Sequence, residues 1–196
     1  MGNTKKQNLI QTGIDLFLRH GIRRITVEEI CEKAHVSKMT FYKYFRNKND
    51  LVKTILQQMM DTAMQQYHEI MSSSIPFPEK AKRMIDLKMR ATKGFGKAFY
   101  SEIMSMRNPD LIEMFGRSRQ KNLQTIISDL IAAQRQGDIR PEINPEFISY
   151  LMDHLIEMAE DPRINQIFDT PQAIINELTN FFFYGILART QSGQSE

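Results

Sequence analysis

The sequence predicts an all-α protein: an N-terminal three-helix head containing a helix-turn-helix, followed by a larger helical body. Apolar residues recur at helical spacing along most of the chain, and no segment alternates apolar and polar residues as a half-buried strand does. Helix starts are marked at Asn108-Pro109, Asn144-Pro145 and Thr170-Pro171, each a capping side chain before a proline at the first helical position. The expected division is 1–47 for the head, 48–190 for the body and 191–196 for a polar tail.

Helix 1 is expected from Thr4, where Gln7 completes a capping box, to His20. Leu9, Ile10, Gly13, Ile14 and Phe17 form one apolar face. A glycine inside a helix costs about 1 kcal/mol against alanine, so Gly13 marks a close helix–helix approach. Gly21 ends the helix. The stretch Thr26–Lys48 then reads as two short helices. Thr26 and Glu29 form a capping box, and Val27, Ile30, Cys31 and Ala34 make the buried side. Val36 fills the turn, Ser37 caps the next helix, and Phe41 and Phe45 point inward. Lys38, Met39, Thr40, Tyr42, Lys43 and Tyr44 are left at the surface. Asn47 is the expected N-cap of the fourth helix. Lys48 follows it in a first turn whose dipole disfavours cations, a conflict that a bound anion would remove.

The fourth helix runs from Lys48 to about Met71 and is shared by head and body, which makes it a lever between them. Ser72–Ser74 and Pro76-Phe77-Pro78 break it. Body helices are expected over 78–93, 95–106, 109–116, 117–136, 144–160 and 171–189. The last two are apolar on more than one face, so each needs two partners: its own body and the same pair in a second copy. Ile148, Leu151, Leu155, Leu178, Phe182 and Ile186 are the expected contacts of that homodimer, a self-complementary twofold interface.

Phe17-x-x-x-Gly21, Thr26-x-x-x-Ile30, Ala34-x-Val36-Ser37 and Thr40-Phe41-Tyr42-x-Tyr44-Phe45-x-x-Lys48-x-x-Leu51 together resemble the DNA-binding signature of the TetR (tetracycline-repressor-like) family of bacterial regulators. The likeness is strong over roughly residues 4–53; beyond them only length and helical layout agree. His35 and Met39 depart from it, standing where such sequences often carry glycine. The resemblance implies a ligand-responsive dimer, a repressor released from a near-palindromic double-stranded DNA operator by a small apolar effector. In the head, Lys38, Met39, Thr40 and Lys43 are candidates for base-edge contacts, and Thr26, Tyr42, Tyr44 and Lys48 for phosphate contacts. The implied effector pocket would draw on Met84, Lys88, Met89, Phe95, Phe99, Tyr100, Met104, Phe115, Leu123, Met152 and His154.

Charge agrees with such a head. Residues 1–53 hold eleven Lys/Arg and five acids, a net +6, and the remaining residues carry −3. The one cysteine, Cys31, lies on an apolar helix face and permits no disulfide within the chain, as in a reducing compartment. The polar start MGNTKKQ is unlike a signal peptide, and Phe181–Leu187 is too short an apolar run to span a bilayer, so a cytoplasmic protein is expected. His20, His35, His68 and His154 are scattered without metal-ligand spacing, and no phosphate-cradling glycine loop or nucleophile elbow is present. Neither enzyme chemistry nor a cofactor is expected. The rival reading is a helical small-molecule-binding or protein-interaction module that does not bind DNA.

Overall fold

A computed structural model describes residues 2–94, 97–105 and 109–187. Among the described residues ten helices follow in order: α1 Gly2–His20, α2 Val27–Lys33, α3 Lys38–Tyr44, α4 Lys48–Ser72, α5 Phe77–Ala91, α6 Lys97–Met104, α7 Pro109–Arg135, α8 Pro145–Glu160, α9 Ile164–Ile167 and α10 Pro171–Ile186. Helix α1 starts before Thr4, which is therefore interior to the helix and not its cap. The expected break between 116 and 117 is absent: α7 runs straight through Gly116, whose Cβ-free site meets open space. The four-residue α9 is an element the sequence reading missed.

Two compact units divide the chain. One comprises Met1–Ala63 and Thr92–Met114; the other comprises Met64–Ala91 and Phe115–Glu196. The first unit is therefore larger than residues 1–47. It adds the N-terminal part of α4, all of α6 and the start of α7 to the three-helix head. Its buried side chains include Leu9, Ile10, Phe17, Ile30, Phe41, Phe45, Leu51, Ile55, Phe99 and Leu111. Gly13 faces α4, where a Cβ would stand 2.9 Å from Ile55 Cδ1 and 3.2 Å from Leu51 Cδ2. The glycine is thus used for close approach of α1 to α4.

In the second unit α5 and α8 pack on α10. Tyr67, Phe77, Met84, Leu87, Leu130, Ala133, Ile139, Ile148, Phe182 and Ile186 form its buried cluster. The end of α7 is closed by Gly137 at φ 83°, with the Asp138 N–H donating to Ala133 O. Gln134 Nε2 then donates to the carbonyls of Arg140 and Ile143, which holds the following loop. Asn144 and Thr170 cap α8 and α10 as expected, accepting from Glu146 N and Ala173 N.

This packing corrects half of the expected dimer contacts. Ile148, Phe182 and Ile186 are 1, 5 and 3 % exposed and belong to the protomer's own core, so they are closed to a partner. Leu151 and Leu155 are half-buried against the same cluster, and Leu178 is also half-buried. The faces of α8 and α10 left open instead carry Phe147, Tyr150 and Met158, and Phe181 and Tyr184.

Candidate nucleic-acid interface

The helix-turn-helix is built by three local devices. Thr26 Oγ1 accepts from Glu29 N, while Glu29 Oε2 accepts from Thr26 N at 2.8 Å, so the capping box is closed on both sides. After Lys33 the chain turns through His35 at φ 54°. The His35 N–H donates to Glu32 O and the Val36 N–H to Cys31 O, the paired bonds of a left-handed helix stop. Ser37 Oγ then accepts from Thr40 N and also bonds the Thr40 hydroxyl at 3.0 Å. Ile30, Cys31, Ala34, Phe41 and Phe45 are buried and fix the angle between α2 and α3.

What remains outside α3 is the surface the sequence led one to expect. Met39 is 83 % exposed at the start of the helix, Tyr42 and Lys43 are exposed, and Thr40 and Tyr44 are half-buried. Lys38 is exposed and ion-paired with Glu28 of α2. The lysine beside it, through its hydrogen bond first, holds the Glu28 carboxyl below the usual range, and the Lys38 ammonium is raised in return. An exposed pair of this kind is weak, so Lys38 can exchange the carboxylate for a base edge or a phosphate. Arg23, Arg24 and Arg46 are exposed around this surface.

Lys48 departs from expectation. Its Nζ donates to Ile22 O at 2.7 Å, to Ile25 O at 2.7 Å and to Arg23 O at 3.3 Å. All three ammonium hydrogens are aimed at backbone carbonyls, and partial burial lowers the lysine's pKa against the opposing pull of Glu102 and Glu29. The cation is turned back onto carbonyls of the loop before α2, which relieve its conflict with the α4 dipole. Asn47 does cap α4, accepting from Asp50 N at 3.0 Å, and Asp50 Oδ2 accepts from Arg46 N.

Residues 9–55, the segment that carries these devices, match the family model described as bacterial regulatory proteins, tetR family. That segment of the chain is similar to the tetR family. Across most of its length the chain is also similar to proteins named as HTH-type transcriptional regulators. It is 26% identical over 157 residues to the HTH-type transcriptional regulator YhgD of Bacillus subtilis, covering 78% of this chain and 80% of that one. It is 24% identical over 150 residues to UidR of Escherichia coli K12, 75% of each. Among solved structures, a transcriptional regulator from Saccharomonospora viridis in complex with choline superposes with a TM-score of 0.71 at 17% identity, over 94% of this chain and 98% of that one. FadR of Bacillus halodurans, a fatty acid degradation regulator, gives 0.68 at 16%, over 94% and 97%. The proteins it resembles are named as transcriptional regulators.

The residues expected to line an effector pocket are not gathered into one described cavity. Met84 is in the core of the second unit and Met152 packs against it. Lys88 is exposed, Met89 and Leu123 are half-buried, and Phe99 is buried in the first unit. His154 stacks on Tyr150 with ring centroids 3.9 Å apart. Phe95 lies outside the described residues, as do the side chains of Tyr100, Met104 and Phe115. A cleft of about 370 Å³ in the second unit is lined by others, among them His68, Phe77, Lys80, Asp129 and Asp138. Among the described residues no group of His, Cys, Asp and Glu is placed to hold a metal ion, and no helix is long and apolar enough to cross a membrane.

Proposed function

We propose that the chain is a homodimeric repressor that reads a near-palindromic operator through α3 and is released by a small-molecule effector. The observation that carries the DNA-binding part is the outer surface of α3. A short helix with a buried Phe41 presents Met39, Lys43 and Tyr42 to solvent beside Lys38, Arg23 and Arg24. Lysine suits guanine O6 and N7, and an exposed methionine or a threonine methyl suits the thymine methyl. Tyr42 and Tyr44 are the proposed phosphate contacts with Thr26, whose hydroxyl proton lies on Glu29 Oε2 and would turn from it to a phosphate oxygen. Lys48 is not among them.

Homodimerisation is supported by the open apolar faces of α8 and α10. Phe181 is 72 % and Tyr184 67 % exposed, a cost that a self-complementary contact would remove. Effector response is supported by the likeness to the tetR family. The relatives' names do not converge on one ligand: one was solved with choline, another regulates fatty acid degradation, and a third is named for ketosteroids. An effector acting on α4, whose residues Lys48–Ala63 lie in the reading unit, would shift the spacing of the two heads.

Duplexes enriched by the purified protein from a random library, then titrated by fluorescence anisotropy at two salt concentrations, test the reading. Binding should be selective and fall steeply with salt. Lys43→Ala should weaken the enriched duplex by about tenfold or more, in keeping with roughly 1–3 kcal/mol for a base contact. Equal affinity of both proteins for all duplexes at both salts would sink it.

A further inference from the structure

The loop between α1 and α2, Gly21–Thr26, is gripped from two sides by groups of opposite charge. Glu102 Oε2, on α6, accepts from Ile22 N at 2.5 Å and from Arg23 N at 2.9 Å. The carbonyls of the same two residues, with that of Ile25, accept from Lys48 Nζ at the start of α4. Two consecutive residues thus have their N–H donors on a carboxylate and their C=O acceptors on an ammonium. Sequence and sterics agree with so close a grip. A Cβ at Gly21 would stand 2.9 Å from Glu102 Oε1 and 3.2 Å from Ala98 Cβ, and Gly21 sits at φ 81°. A side chain there would push α6 away.

The loop has consequences for the reading surface. It carries the exposed cations Arg23 and Arg24, anchors itself through buried Ile22 and Ile25, and ends on Thr26, the cap of α2. Glu102 offers nothing to DNA itself, because its carboxylate is turned onto the amides. It reaches the loop from 79 and 80 residues away in sequence, on the segment Thr92–Met114 that completes this unit.

We infer that Glu102 is a positioning residue for DNA reading: held on α6, it fixes the Gly21–Thr26 loop and through it the register of α2 and α3 on the duplex. The inference rests on the reading above that the head binds DNA. Phosphate contacts set register and base contacts need that register to within hydrogen-bonding distance, whereas non-specific binding is electrostatic and tolerates displacement. Releasing the loop should therefore cost the specific complex more than the non-specific one.

The test uses the full-length protein with Glu102→Ala and Glu102→Gln. One arm measures amide hydrogen exchange at Ile22 and Arg23. The other measures affinity for the enriched duplex and for a scrambled duplex of equal length and composition. A hydrogen bond to a charged group corresponds to a roughly 10- to 100-fold effect. Glu102→Ala should accordingly speed exchange at both amides by about tenfold or more, with Ile30 and Phe41 unchanged. The ratio of enriched to scrambled affinity should fall by about tenfold, and Glu102→Gln, which keeps a neutral acceptor, should lie between. A purely structural role lowers the folded fraction and reduces both affinities by one factor, which overturns the inference. So does an unchanged exchange rate, or an unchanged affinity ratio. Where the alanine variant fails to fold, the glutamine variant carries the same two readouts. A wild-type protein that enriches no duplex removes the DNA reading and this inference with it; a selective wild type whose Glu102→Ala variant stays equally selective removes the inference alone.

Discussion

At the scale of single residues, the two departures from expectation are positions where backbone geometry decides. His35 occupies the left-handed region at φ 54° in the stop between α2 and α3. A residue with a Cβ costs roughly 1–2 kcal/mol there, less for histidine than for branched side chains. His35→Gly should raise stability by up to about 1 kcal/mol, part of the relief being offset by the freer unfolded chain. His35→Val should lose about 1–2 kcal/mol. Urea midpoints of the three proteins check this, and a glycine variant less stable than wild type would contradict it. Lys48 makes a sharper case. As a phosphate contact, its loss would reduce the slope of log affinity against log salt by about 0.9. As a cap on three carbonyls, Lys48→Met should leave that slope unchanged. It should instead cost about 1–2 kcal/mol of stability, the range for charged hydrogen bonds reduced for partial exposure.

At the scale of elements, Tyr67 ties α4 to α7 by donating its hydroxyl to Asp129 Oδ2 at 2.9 Å. Burial first, then the charge of Asp129, pushes the phenol's pKa well up. The folded state therefore keeps the proton, while the unfolded phenol releases it near pH 10. The sign follows: this contribution is fully present below about pH 10 and is lost as pH rises further. Tyr67→Phe should cost about 1 kcal/mol at pH 7. Between pH 8 and 11 its melting temperature should fall less than that of wild type; equal falls would refute the assignment. Elements also show what a sequence can carry. The caps at Thr26, Ser37, Asn47, Asn144 and Thr170 and the stop at Gly137 were legible because each depends on residues within four or five positions. Gly116 misled, since one interior glycine costs only about 1 kcal/mol and its helical neighbours outweigh it. The inward turn of Lys48 and the reach of Glu102 were not legible: their partners lie 23 to 80 residues away. Nor was the face of α10 that meets its own core. With Phe181, Phe182, Phe183 and Tyr184 consecutive, periodicity alone leaves the rotation open, and packing chose Phe182.

At the scale of the molecule, the net +6 of residues 1–53 would draw the proposed reading head to DNA, and the proposed twofold dimer would give it selectivity. In that proposal two copies would place their α3 helices on half-sites about one turn, roughly 34–36 Å, or a multiple of it apart. Phe181→Glu combined with Tyr184→Glu places like charges where the proposed interface would be. The double variant should sediment as a folded monomer and lose most affinity for the enriched duplex, while its helical signal is retained. A variant that remains dimeric would move the interface elsewhere. The discontinuous reading unit has a consequence in time. Its chain is Met1–Ala63 and Thr92–Met114, so a ribosome finishes the first piece well before the second. At ordinary synthesis rates the gap is about 3–10 s. During that interval the nascent head has the residues of its Thr26–Glu29 capping box and its aromatic pair Phe41 and Phe45, but the amides of Ile22 and Arg23 have no carboxylate to meet. On the proposed reading, a newborn head would carry the charge to adhere to DNA before it has the grip to choose among sequences.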